Sequence, residues 1–99
     1  MDIKSIQRKI RLGDYRISEH AIKRMLERTI DRWEIEEAIS NGGIIEEYPD
    51  DKYAPSCLIY GQTFVKRDLH VQVSMPPRVV IITTYEPDPS EWIDCKIRR

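Results

Sequence analysis

From Gly43 onward the sequence changes from a helix-like to a strand-like period, and this change limits the folds that the chain can adopt. Four segments rich in β-branched and aromatic residues follow one another, separated by short loops. Connections this short fit hairpins and exclude helical crossovers, so we expect four antiparallel strands in a meander. The predicted strands are Gly43–Tyr48, Ser56–Val65, Asp68–Ser74 and Arg78–Tyr85.

The first half of the chain predicts three helices. Apolar residues at three- and four-residue steps predict a first helix over Met1–Leu12, which a glycine ends. Ser18 is a favourable N-cap for a second helix. Asp31, with Glu34 in capping-box spacing, starts a third helix that ends at Asn41. We therefore expect an α+β fold in which N-terminal helices pack on one face of a four-stranded antiparallel meander sheet.

Periodicity also predicts which side chains meet in the core. We interpret the segment from Tyr15 to Ile17 as an extended link, Trp33 as a packing residue, and Trp92 as an anchor that folds back on the body. The apolar stripes of the helices and one face of the sheet should share a single core. Its expected members are Ile22, Met25, Leu26, Ile35, Ile39, Leu58, Val71, Val73 and Ile82.

Length and composition limit the functional classes. The 99 residues are enough for one domain, 1–99, and a net charge of −1 argues against non-specific coating of nucleic acid. Cys57 and Cys95 have neither metal-type spacing nor a dense disulfide pattern, so we expect free thiols, with Cys57 packed as a small hydrophobe. The sequence contains no membrane-length apolar run and no signal-peptide pattern, so we expect a cytoplasmic protein without membrane partners.

His20, Arg24 and Arg28 follow one another at i, i+4 and i+8 along the predicted second helix. One interpretation is a solvated helix edge, in which Glu27 pairs with a neighbouring arginine. The other is an anion site, in which two guanidiniums hold a phosphate and the imidazole transfers a proton or binds the anion. Spacing alone leaves both interpretations open.

A second set of chemically capable residues lies on the predicted sheet. Strand alternation places His70 on the face opposite the apolar side chains, and Tyr85 and Glu86 end the last strand beside it. Tyr85 can equally be a half-buried strand aromatic. Neither histidine has a close His or Cys partner to complete a site, so we expect no metal and no organic cofactor.

Several segments together resemble a known family. They are S-E-H-A-x-x-R-M-x-x-R, N-G-x-I-I-E-E-Y-P-D-D, P-S-C-L, L-H-V-Q-V and V-I-I-T-T-Y-E-P-D-x-x-x-W, which cover the chain from about Ile17 to Trp92. This combination resembles the bacterial and archaeal domain-of-unknown-function family 4258. Its members look like the compact endoribonuclease toxins of the RelE and barnase-like superfamily, and also resemble MqsR-type toxins.

The resemblance implies a toxin that cleaves single-stranded or messenger RNA without a metal ion. Arg24 and Arg28 would bind the scissile phosphate, and His20 or His70 would be the general base. The other histidine, or Tyr85, would protonate the leaving oxygen. If the site were formed in this way, it would join a helix to the sheet.

The resemblance also implies partners. Members of the family are often paired with a small zinc-finger antitoxin. Apart from the resemblance, we expect Lys66, with Arg24 and Arg28, to contribute to substrate binding. We expect a monomer or a weak homodimer. A different class of function is a non-enzymatic protein-interaction module, which the acidic isoelectric point and the lack of a self-sufficient catalytic motif favour.

Overall fold

The computed structural model describes residues 1–99, and its helices begin and end close to the sequence signals. Asp2 and Ser18 cap the first two helices through their side chains, and Gly13 takes the positive φ that ends the first. Glu34 accepts a hydrogen bond from the backbone N–H of Asp31 at the start of the third. None of the helices is long and apolar enough to cross a membrane. The helices are α1 (Ile3–Arg11), α2 (Glu19–Arg28) and α3 (Arg32–Asn41).

The sheet differs from the predicted four-stranded antiparallel meander. The four predicted strands are present and antiparallel, but a fifth, Arg16–Ile17, pairs in parallel with the last one, so the sheet is mixed. The order in the sheet is β1-β5-β4-β3-β2. The strands are β1 (Arg16–Ile17), β2 (Gly43–Tyr48), β3 (Ser56–Gln62), β4 (Asp68–Ser74), β5 (Val80–Tyr85), β6 (Trp92–Ile93) and β7 (Ile97–Arg98).

Specific backbone hydrogen bonds hold the additional strand β1 in the sheet. Backbone bonds from Arg16 to the Val79 carbonyl and from Ser18 to the Ile81 carbonyl hold the link that precedes α2 against β5. The residue that caps α2 therefore also pairs with the sheet edge. A two-residue strand carries too little alternation to be recognised from the sequence.

All three helices lie on one face of the sheet. Helix α3 crosses β3 and β4, α2 packs against β5, and α1 packs on α3. Gly61 of β3 allows the closest approach, because a Cβ there would overlap the carbonyl oxygen of Ala38 in α3. This contact sets the distance between α3 and the sheet.

The core differs from the predicted list mainly on α2. Ile22 and Leu26 are 47% and 79% exposed, Trp33 is half exposed, and Met25 is only partly buried. Of the apolar face expected for this helix, Ala21, Ile22, Met25 and Leu26, only Ala21 is fully buried. The core does contain four of the predicted side chains, Ile35, Ile39, Val71 and Val73, and Leu58 is buried outside it.

The opposite face of the sheet is covered in its centre by the C-terminal residues. Strands β6 and β7 form a small hairpin, and Trp92 is 3% exposed, as predicted for an anchor. Asp94 and Cys95 in its turn both have positive φ, the signs that a type I′ turn needs. The edge of the Trp92 ring packs on His70 with the centroids 4.5 Å apart.

The two cysteines are free thiols, as expected. Cys57 is fully buried in the core and behaves as a small hydrophobe. Burial raises the pKa of Cys57 to about 11, so this thiol stays protonated at neutral pH.

Candidate active site at the end of strand β5

Arg28 reaches around the free edge of the sheet. Strand β1 pairs only with Val80 and Ile81, so the outer edge of β5 beyond them has no strand neighbour. Nη1 of Arg28 donates to the carbonyl of Thr84 at 2.8 Å. Arg28 forms no ion pair, so most of its donors are available to a ligand.

Tyr85 stands next to this guanidinium on the face opposite the helices. It pairs with His70 across β4 and β5, and the two rings meet edge to face with centroids 5.3 Å apart. The hydroxyl of Tyr85 lies 3.3 Å from Nδ1 of His70. Nε2 of His70 lies 2.6 Å from the carbonyl oxygen of Cys95.

These contacts define the tautomer of His70. A carbonyl oxygen only accepts hydrogen bonds, so Nε2 of His70 carries the proton and Nδ1 accepts from the hydroxyl of Tyr85. Burial lowers the pKa of His70, although the Cys95 carbonyl and Glu46 oppose this shift, so the imidazole is neutral at neutral pH. His70 has no exposed surface and both of its ring nitrogens are occupied.

Tyr85 remains a hydroxyl donor. Burial raises the pKa of Tyr85, and the carboxylates of Glu46 and Glu91 act in the same direction. Arg98 and Arg28 oppose the shift, which shows that the phenol lies within the field of two guanidiniums. The phenol of Tyr85 therefore stays protonated at neutral pH, and its proton bonds Nδ1 of His70 until the hydroxyl turns to another acceptor.

A depression of about 450 Å³ opens at this position, lined by Arg28, Tyr85, Glu86 and Glu91. The two carboxylates differ in their surroundings. Glu86 lies 3.3 Å from the guanidinium of Arg67, whereas the side chain of Glu91 forms no hydrogen bond or ion pair. The depression therefore combines a cation, a phenol and an unpaired carboxylate that can accept a proton.

Tyr85 also lines a second depression, of about 390 Å³, on the same face of the sheet. Arg98 from β7 lies there, with its guanidinium 4.5 Å from the centroid of Trp92 and 2.9 Å from Glu46. Gln72 and Tyr48 also line this second depression. Because Arg98 is paired with a carboxylate, it is a weaker anion ligand than Arg28.

Arg67 fixes the geometry of the Arg28 side. Its guanidinium donates to the carbonyls of Arg28 and Thr29, which end α2, and pairs with Glu34 at 3.1 Å. It also reaches Glu86. One side chain thereby ties together α2, α3 and the residue that follows β5.

The remaining predicted site residues lie elsewhere. His20 is exposed in the first turn of α2, about 12 Å along the helix axis from Arg28, and makes no side-chain hydrogen bond. Arg24 pairs with Glu27 at 2.7 Å. Lys66 lies in the β3–β4 turn and lines a different groove. The structure thus brings Arg28, Tyr85 and His70 together, and not His20, Arg24 or Lys66.

Sequence patterns gave no indication of three residues at this place. Arg67 follows Lys66 in a predicted turn, and the sequence alone suggests an ordinary surface charge there. Glu91 and Arg98 belong to a C-terminal segment without regular hydrophobic periodicity. Only the fold places them near Tyr85. No group of three or more His, Cys, Asp and Glu side chains is arranged to hold a metal ion.

One comparison with known proteins gives a match. A family model described as a domain of unknown function (DUF4258) matches residues 17–86, which include Arg28, Arg67, His70 and Tyr85. The matched region ends before Glu91 and the C-terminal hairpin. No curated protein and no solved structure matches the chain.

Proposed function

Because the chain belongs to the DUF4258 family, whose description assigns no activity, we propose an activity from the geometry at the end of β5. The proposed function is a metal-independent endoribonuclease that cleaves single-stranded RNA. The observation that carries it is the depression that Arg28, Tyr85 and Glu91 line together. These are the group types that phosphodiester cleavage by a ribose 2′-hydroxyl needs.

Arg28 binds the scissile phosphate and stabilises the charge that grows on its oxygens. Its bond to the Thr84 carbonyl fixes one branch of the guanidinium, and Arg28 lines the depression. The ties from Arg67 hold the backbone of Arg28 in place, so binding needs little reorganisation.

Glu91 and Tyr85 carry out the two proton transfers. Glu91 accepts the proton of the attacking 2′-hydroxyl as its oxygen bonds to phosphorus. The hydroxyl of Tyr85 turns from Nδ1 of His70 towards the leaving 5′-oxygen and gives it its proton as the P–O bond breaks. Glu91 then releases its proton to solvent and Tyr85 regains one. His70 orients the phenol from behind and does not touch the substrate, which replaces the direct role expected from the sequence.

The toxin role is part of the same proposal. The family resemblance described above supports a type II toxin that is neutralised by a small zinc-finger antitoxin. His20 is exposed on α2 and Arg24 is partly exposed, so both can contact this partner. Binding of the antitoxin along α2 would cover the approach to Arg28.

A second candidate function is a non-enzymatic protein-interaction module. A specific observation favours it: Ile22 and Leu26 lie one helical turn apart on α2 and are 47% and 79% exposed. An apolar pair of this kind is typical of a surface that a partner covers, whether or not the depression at Tyr85 is catalytic.

Cleavage of a labelled single-stranded RNA tests the proposal, with growth arrest on expression as the cellular readout. Wild type should produce ends with a 2′,3′-cyclic phosphate and should leave the matching DNA intact. Tyr85→Phe and Glu91→Gln should slow cleavage by roughly 10² to 10⁴. Arg28→Gln should slow it by roughly 10² to 10³.

Arg11→Gln is the matched control, because this exposed arginine of α1 lies on the helical side of the sheet. It should cleave at the wild-type rate, with EDTA present or absent. Folded wild type that leaves RNA intact would rule out the ribonuclease and leave the interaction module.

A further inference from the structure

A large depression lies at the other side of the C-terminal hairpin. It measures about 750 Å³ and is formed by the end of α3, the start of β2, the end of β3 and the turn that follows. We call it the lysine groove. Its lining residues are Asn41, Gly42, Gly43, Ile44, Ile45, Tyr60, Gly61, Gln62, Thr63, Phe64, Lys66 and Lys96.

The charge of the lysine groove differs from that of the chain. The chain carries −1 overall, yet the groove is lined by two lysines and by no aspartate or glutamate. Neither Lys66 nor Lys96 forms a hydrogen bond or an ion pair through its ammonium group. Two carboxylates bond to lining residues: Glu37 accepts from the backbone N–H of Phe64, and Asp68 accepts from the side chains of Tyr60 and Gln62. These carboxylates already have partners, whereas both ammonium groups are free, so the lysines favour an anionic ligand.

The groove also contains groups that suit a nucleobase. Phe64 is 72% exposed beside Lys66, although a side chain of this size usually packs inside a protein. The side-chain amides of Asn41 and Gln62 line the same groove and retain hydrogen-bonding capacity. An exposed aromatic ring together with lysines is the combination on which single-stranded nucleic acids stack.

The groove is aligned with the site at Tyr85. Tyr85 pairs with His70, His70 with Tyr60, and Tyr60 with Gly43, so these four residues form one row across the sheet. Tyr60 lies two strands from Tyr85, which corresponds to roughly 10 Å. The C-terminal hairpin covers His70 in the middle of this row, so an extended strand of a few nucleotides reaches both places by passing over the hairpin.

We propose that the lysine groove binds the nucleotides of a single-stranded RNA next to the cleaved bond, with Phe64 stacking on a base and Lys66 and Lys96 contacting phosphates. This inference rests on the proposed ribonuclease function and adds a binding site to it. It assigns Lys66 a phosphate contact in the β3–β4 turn, outside the depression at Tyr85.

Binding and cleavage are measured separately to test it. The probe is a short fluorescent oligouridylate with methylated 2′-hydroxyls, which the proposed chemistry cannot cut. Lys66→Ala and Lys96→Ala should each reduce the slope of log K against log salt concentration by about 0.7. Phe64→Ala should weaken binding by roughly 5- to 150-fold.

Three controls separate the two proposals. Lys4→Ala, which removes an exposed lysine of α1, should bind like wild type, and Tyr85→Phe should bind normally but fail to cut a cleavable RNA. If the groove variants bind like wild type, or if polyglutamate competes as well as RNA, the groove proposal is wrong whatever the nuclease does. If wild type binds through the groove but cuts no RNA, the groove stands and the nuclease does not.

Discussion

The hydroxyl of Tyr85 lies 3.3 Å from Nδ1 of His70, and the other nitrogen of that ring lies 2.6 Å from the carbonyl of Cys95. This chain of contacts joins β5, β4 and the C-terminal hairpin through one buried imidazole. Since a carbonyl fixes the tautomer, the phenol of Tyr85 has one preferred orientation. His70 is therefore a positioning residue for Tyr85.

The neutral state of His70 predicts how stability depends on pH. Burial lowers the pKa of His70, so below about pH 6.5 the unfolded chain binds a proton that the folded chain does not. The free energy of unfolding should therefore decrease as the pH falls from about 6.5 towards the lowered pKa, and should be insensitive to His70 above this window. Denaturant unfolding between pH 5 and 8 measures it.

The two histidines provide a matched pair for this measurement. His70→Gln should lower stability at neutral pH and flatten its dependence on pH, whereas His20→Gln, at an exposed position, should leave the curve as it is. Equal flattening by both variants would contradict a buried neutral His70.

Arg67 should be one of the most important charged residues for stability. Its loss leaves the nearly buried carboxylate of Glu34 without its cation and the last carbonyls of α2 without a donor. Arg67→Ala should cost about 3 kcal/mol in denaturant unfolding. Lys9→Ala breaks only the exposed pair with Asp14 and should cost under about 1 kcal/mol. Equal costs would show that Arg67 is an ordinary surface charge.

The close approach of α3 to β3 predicts a steric cost at Gly61. A methyl group there would overlap the Ala38 carbonyl, so Gly61→Ala should force the helix outward and destabilise the fold by about 1 to 3 kcal/mol. Gly43→Ala is the control, because nothing lies within contact distance of a Cβ at that position. Thermal unfolding compares the two, and equal midpoints would refute the steric explanation.

The parts of the fold that the sequence predicts are those fixed by local interactions. Ser18 and Asp31 mark helix starts because capping bonds join residues three apart in the chain. The strands of the meander have enough alternation to be recognised. Strand β1 is not recognised from the sequence because the backbone N–H groups of Arg16 and Ser18 bond to the carbonyls of Val79 and Ile81, more than sixty positions away.

The residues of the candidate site also fall into two groups, those that local sequence features identify and those that only the fold brings to the site. Arg28 and Tyr85 can be selected as residues because helix spacing and a strand end are local features. The position of α2 along the edge of β5 brings Arg28 close to Tyr85 and keeps His20 away from both. Sequence analysis identifies neither Arg67, which belongs to no motif, nor the Cys95 carbonyl, which is a backbone group.

The corrected core predicts opposite outcomes for two residues that the sequence treats alike. Leu26 is 79% exposed, so Leu26→Ala should change the free energy of unfolding by no more than about 0.5 kcal/mol. Ile39 is fully buried, and Ile39→Ala should cost about 2 to 5 kcal/mol. Chemical denaturation of both variants checks this, and a large loss at Leu26 would restore the predicted apolar stripe of α2.

Trp92 should control the environment of His70, because its ring covers the imidazole from the hairpin side. Trp92→Ala should cost about 3 to 5 kcal/mol and should admit water to His70, which weakens the burial that lowers the pKa of this residue. The His70 resonance in NMR should then titrate closer to pH 6.5 than in wild type.

Trp92→Phe, which keeps a smaller ring, should shift the titration less in the same direction. This variant keeps the test usable if the alanine variant unfolds. Ile97→Ala removes an exposed side chain from the same hairpin and should leave the titration unchanged, so a shift of equal size there would show that Trp92 has no special role.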